Sequence, residues 1–188
     1  MITDFTSQVL SSNTYNDLAK QAREEVFWKG SLFEPIKLLS SRSIGAKGEQ
    51  ITADLLEAIG SMVPRDKKGA HKKPKGAGSD YDLYIDNIKI EVKFSTAWEQ
   101  TENKFTWQQL RSGQDYERVI FVGCNPNEIH FWWCHKSDLE ANIFGRDEYR
   151  QHAGKSGKQD LYWLHTDPNT ANIVPDYFKS LNTWTENT

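Results

Sequence analysis

Two acids and a lysine near the middle of this chain have the types and spacing that phosphodiester chemistry requires. In the run Tyr81-Asp82-Leu83-Tyr84-Ile85-Asp86-Asn87-Ile88-Lys89-Ile90-Glu91-Val92-Lys93, eight residues separate Asp82 from Glu91, and Lys93 follows two positions later. Side chains alternate faces along an extended strand, so Glu91 and Lys93 point one way while Val92 points into a core. Apolar and polar residues alternate on both sides of Asp86-Asn87, whose types favour a tight turn, and the segment reads as a β-hairpin. Folding back at that turn brings Asp82 alongside Glu91 and closes a small acidic cluster beside Lys93. A phosphodiester is an anion that repels hydroxide; a divalent cation held by carboxylates offsets that repulsion and supplies a nucleophile. Magnesium prefers oxygen ligands and keeps several waters, so two carboxylates plus a phosphate oxygen suffice. A lysine beside the attacking water orients it, favours its deprotonated form, or stabilises the charge of the transition state.

The elements that position these residues are read from periodicity. Asn16 to Trp28 has helical spacing through Leu18, Ala22 and Val26, and Gly30 and Pro35 punctuate it before a short helical patch from Pro35 to Leu39. Ala46 to Ile59 is the clearest helix, with Ile51, Leu55, Leu56 and Ile59 as one apolar stripe and Gly60 as a stop. Met62-Val63 begins a short strand ahead of a basic loop from Arg65 to Gly78. After the hairpin, Phe105 to Arg111 is predicted helical, and Val119 to Gly123 is an apolar run suited to a buried strand. Glu128 to Cys134 is a further strand, joined through the turn Asn125-Pro126-Asn127. Ser137-Asp138-Leu139-Glu140 carries a helix N-cap signature, Leu161 to His165 reads as a last strand, and Asp176 to Leu181 as a terminal helix. The expected class is α/β, with a central mixed β-sheet flanked by helices.

A length of 188 residues suits one domain: a helical part to about residue 44, a core over about 45–165 and an extension over about 166–188. Hydrophobic residues at 37% and charged residues at 26% are those of a folded globular chain. No run approaches a membrane span, and Met1-Ile2-Thr3-Asp4 does not open a secretory signal. Two cysteines cannot form a disulfide framework, which points to a reducing cytoplasm. The net charge of -3 is unevenly spread. Arg65, Lys67, Lys68, Lys72, Lys73 and Lys75 face only Asp66, six positives minus one negative or +5, which leaves -8 for the remainder. Such a segment suits a local contact with a polyanion.

Asp82, eight residues, then Glu91-Val92-Lys93 resembles the PD-(D/E)xK nuclease superfamily, with its restriction-endonuclease-like core, and in particular its type II restriction endonuclease-like members. Tyr81 stands where the family has proline, so Asp80, ten residues before Glu91, remains an alternative first acid. The resemblance runs from about Gly45 to Lys136. It implies a helix glutamate near the metals, carried to Glu49 in Gly45-Ala46-Lys47-Gly48-Glu49, and a glutamine on a helix after the catalytic strand, carried to Gln109 or to its neighbour Gln108. It further implies magnesium, with manganese as a substitute, held by Asp82, Glu91 and Glu49, and cleavage of double-stranded DNA. A palindromic target would require a two-fold homodimer. The other readings are a junction-resolvase type of repair nuclease and a DNA-binding module that kept the fold without catalysis.

Cys124, His130, Cys134 and His135 lack zinc-site spacing, and Cys134 and His135 face opposite sides of a strand, so buried free cysteines are expected. Trp132-Trp133 reads as core or dimer surface. Arg146, Arg150, His152, Lys155 and Lys158, with Gly154, Ser156 and Gly157 among them, make a second cationic segment that suits phosphate contact, led by Lys155 and Lys158.

Overall fold

The computed structural model of the chain describes residues 12–74, 80–151, 160–170 and 172–184. In chain order its elements are α1 (Asn13–Trp28), α2 (Glu34–Lys37), α3 (Ser41–Ala58), β1 (Leu83–Ile85), β2 (Ile88–Thr96), β3 (Thr106–Arg111), β4 (Arg118–Cys124), β5 (Ile129–His135), α4 (Lys136–Asn142), β6 (Leu161–His165) and β7 (Lys179–Ser180). Asp86 and Asn87 both take left-handed backbone, at φ 52° and 64°, as a two-residue hairpin turn requires. That turn sets the register of β1 against β2, Leu83 opposite Ile90 and Ile85 opposite Ile88.

Five strands form one mixed sheet in the order β1-β2-β4-β5-β7. Only β2 and β4 run parallel; the other pairs are antiparallel. All of β4 is buried because both faces of the sheet are covered. On one face α3 contributes Ala53 and Leu56 to a core with Ile90, Val92, Ile120, Trp133 and Trp184. On the other, β3 and β6 pair as a separate two-stranded ribbon, and Trp107, Leu110 and Leu164 pack with Trp28 from α1 and Leu139 from α4 over Val119 and Phe121. The expected mixed sheet between helices is what the chain forms. Among the described residues no helix is long and apolar enough to cross a membrane.

Several elements differ from the periodicity reading. Phe105 to Arg111 is not helical; Thr106–Arg111 is strand β3, and a bulge between Trp107 and Leu110 explains the error. The inserted residue stretches the inward spacing from two to three, which imitates a helical turn. Asp176 to Leu181 is not a helix either. Lys179–Ser180 pairs with Trp132 and Trp133, where the Trp133 indole N–H donates to the Ser180 carbonyl at 3.2 Å, and a short 3-10 turn follows. Met62-Val63 stays out of any strand. The α4 cap falls earlier than Ser137: the helix starts at Lys136, and the Asp138 carboxylate accepts the His135 N–H at 2.9 Å. Leu18 and Val26, placed on a core face by their spacing, are exposed, and Ile59 is exposed at 37%. Helix α1 instead docks through its last residue, the buried Trp28.

The contact that seats α3 on β2 is at Gly48, where a Cβ would lie 2.6 Å from the Phe94 ring and 3.1 Å from its Cβ. Overpacking of this kind costs about 1–3 kcal/mol. We expect Gly48→Ala to lower stability in urea denaturation by that amount; an unchanged midpoint would mean that the helix rides further from the sheet.

Candidate functional site

Asp82, Glu91 and Lys93 meet where the hairpin enters the sheet. Extending the β1–β2 register by one position sets Asp82 opposite Glu91, and the Asp82 carboxylate accepts the Val92 backbone N–H at 2.8 Å. The Lys93 ammonium donates to Glu91 Oε1 at 2.5 Å. Glu91 is 5% exposed because β2 lies between β1 and β4, with Val119 beside it in the parallel register. Its second oxygen, Oε2, is buried and accepts no N–H among the described residues, while the Asp82 carboxyl lies within reach to share a proton with Glu91. Asp80 is exposed and takes no part in this cluster, so Asp82 is the acid that the fold brings to Glu91.

Burial pushes the Glu91 carboxyl up, to about 7, and the like charge of Asp82 adds to the rise while Lys93 opposes it. Helix α3 supplies the third acid. Because Gly48 lets the helix close on Phe94, the half-buried Glu49 falls within electrostatic reach of Asp82, Lys93 and Lys73. Burial raises the Glu49 carboxyl, Asp82 raises it further, and the two lysines pull it down. Three carboxylates thus share two ammonium groups, and the fully ionised cluster carries a net negative charge that a cation would neutralise.

The donor set fits a hard divalent ion. Asp82 and Glu91 offer carboxylate oxygens close enough to share a proton, an arrangement in which a divalent ion could take the proton's place. Among the described residues no three His, Cys, Asp or Glu side chains are grouped closely enough to hold an ion together, so a pair of carboxylates and water describes the site better than a closed cage. Glu49 stands outside that pair.

Lys73 was placed by sequence with the DNA-contacting lysines, yet it turns inward: its ammonium donates to the Tyr81 carbonyl and lies 5.2 Å from the Tyr81 ring centroid. Nothing in composition separates it from its neighbours. Arg65 also turns inward, donating to Asp54 and Glu57 at 2.8 Å each and tying the loop to α3. His71 pins the same loop to β1, its Nε2 accepting the Tyr84 N–H at 3.1 Å, and burial keeps the ring below its ordinary pKa. Lys67, Lys68 and Lys72 are exposed. Lys75, Lys155 and Lys158 lie outside the described residues, as does His152. Arg146 donates to the Ala141 carbonyl at 2.9 Å, and Arg150 pairs with Asp147 at 2.9 Å.

Gln109 requires a correction, since it is not on a helix. It sits in the β3 bulge with φ 57°, its N–H donating to Gln151 Oε1 at 3.0 Å, while Gln108 Oε1 accepts from Gln151 Nε2 at 3.4 Å. Both glutamines line a cleft of about 670 Å³ that Lys93 also lines, bounded by the start of α3 and by Trp163 and His165 of β6. Tyr116, missed by sequence reading, is buried near Glu91; burial and then the Glu91 charge raise its phenol, whose hydroxyl donates to the Arg111 carbonyl at 3.1 Å. Cys124 and Cys134 are free and buried, and burial pushes both thiols up.

No protein-family model matches the chain, and no curated protein matches it. Among solved structures a bacterial homing endonuclease aligns over 79% of this chain and 91% of its own, at 15% identity and a TM-score of 0.42. At that level of likeness the functional case rests on the site's own residues.

The raised Glu91 pKa fixes a sign. Between the ordinary 4.5 and about 7 the folded chain keeps a proton that the unfolded chain releases, so stability is lost as pH rises through that window. Glu91→Gln does not titrate there. In urea denaturation with a chelator present, we expect the stability of Glu91→Gln relative to the parent to grow from pH 5 to pH 8 by on the order of 2 kcal/mol. A pH-independent difference would show that Glu91 is not held in the protonated range.

Proposed function

We propose that the chain is a metal-dependent endonuclease that hydrolyses phosphodiester bonds of double-stranded DNA, of the type II restriction kind, with Asp82, Glu91 and Lys93 at its centre. The observation that carries this reading is Glu91: a buried carboxyl bound to Lys93 and set against a second acid, Asp82. A structural ion pair has no use for a second acid, whereas a cation site needs one.

Asp82 and Glu91 would hold the ion, and Glu49 would act from α3 through water. Magnesium fits these oxygens, with manganese as a substitute. The ion supplies charge neutralisation at the phosphate and acidification of water. Lys93 gives up its bond to Glu91 as the anion enters and turns its ammonium to the attacking water or the transferring oxygens. The Val92 N–H holds the Asp82 carboxylate in place throughout. Exposed Lys67, Lys68 and Lys72, with Lys75, Lys155 and Lys158, would contact the DNA backbone and make affinity salt-dependent. A palindromic target would require two copies related by a two-fold axis, hence a homodimer.

Long unmodified DNA incubated with the protein and magnesium should give discrete fragments, and with a chelator should remain intact. Lys93→Ala should lose cleavage by about a hundredfold to a thousandfold, the range for removing one group that stabilises transition-state charge, while retaining duplex binding within about threefold. Cleavage that survives Lys93→Ala would remove this centre from consideration, and uncut DNA in magnesium would remove the nuclease reading.

A further inference from the structure

The cleft beside the cleavage centre has a wall whose chemistry that centre does not use. Its lining among the described residues contains one lysine, Lys93, with no arginine and no carboxylate. A channel for a phosphate backbone needs several cations along its length. Amides, hydroxyls and aromatic rings instead match base edges, which are neutral donors and acceptors. Lys93 brings the cleavage centre to the cleft, and the β3–β6 ribbon brings amides, a hydroxyl and an indole.

The ribbon is shaped for this purpose at one point. The bulge between Trp107 and Leu110 keeps both of those side chains fully in the core and leaves both intervening glutamines exposed. Gln109 takes a left-handed backbone to do so, a conformation uncommon for a residue with a Cβ. Gln151 braces the pair, accepting from the Gln109 N–H and donating to the Gln108 side chain. A plain strand would have put only one amide on this wall. We infer that Gln108 and Gln109 read sequence, through paired hydrogen bonds from a side-chain amide to the N6 and N7 edge of adenine, with a two-stranded ribbon of the width that enters the major groove. Gln151 is the positioning residue. The inference rests on the nuclease reading for the entry of DNA into the cleft.

The test uses the full chain without magnesium and with a chelator, so that it is independent of cleavage. A randomised duplex library is bound, and the retained fraction is sequenced. The parent should enrich adenine at one or two fixed positions. Gln108→Ala or Gln109→Ala should reduce that enrichment about tenfold or more. Affinity for a duplex without the preferred adenine should change by less than about threefold, affinity for the preferred duplex should fall, and the thermal midpoint should stay near the parent's. Gln151→Ala, which touches no base, should weaken the same preference to a smaller extent. Equal enrichment in parent and glutamine variants, a parent without preference, or a parent that retains no duplex would each overturn the inference. Loss of the nuclease reading shows separately, as DNA left uncut in magnesium by a protein that still selects adenine.

Discussion

Glu91 lies on a strand with neighbours on both sides, so its carboxylate is withdrawn from water and depends on nearby side chains for its charge. Lys93, two residues along the same strand, supplies a cation at 2.5 Å, and Asp82 opposes it from across the hairpin. A buried ion pair of this kind is poor as a stabilising device, since desolvation offsets most of the attraction. It is suited to responsiveness. Under the proposed reading, a cation would take Glu91 and a DNA phosphate would take Lys93.

The rest of the fold can be understood as holding that pair between two walls. The two-residue turn at Asp86-Asn87 fixes the register that brings Asp82 to Glu91. Gly48, by lacking a side chain, allows α3 to close on Phe94 and carry Glu49 to the acids. On the opposite face Trp107 and Phe121 pack edge to face at 5.1 Å, which anchors the β3–β6 ribbon while its other side lines the cleft. The basic loop is held twice, by Arg65 to α3 and by His71 to β1, and this turns Lys73 inward while Lys67, Lys68 and Lys72 remain at the surface.

Much of this was readable because it is local. The hairpin, its turn and the convergence of residues 82, 91 and 93 follow from alternation and loop length, and the buried strand β4 follows from an unbroken apolar run. What failed was non-local or irregular. The β3 bulge makes Trp107 and Leu110 look like neighbours on a helix, so Gln109 was assigned to the wrong kind of element. Strand β7 exists because Trp132 and Trp133 receive it, a pairing across almost fifty residues that its own sequence does not announce. The inward turn of Lys73 depends on a carbonyl at Tyr81, and lysines in a basic run are alike until a fold distinguishes them.

The two walls of the site also differ in how far along the chain their partners lie. Strands β1 and β2 are joined by two residues, whereas β3 finds β6 only after β4, β5 and α4 have intervened, with Trp107 opposite Leu164. Closing a long loop costs entropy before any contact repays it, so pairings between distant segments are slower to form. The acid-bearing hairpin closes over a two-residue turn, yet Glu91 is buried only once β4 pairs beside β2. Both walls therefore depend on β4, the strand that pairs with β2 and packs under the ribbon at Phe121.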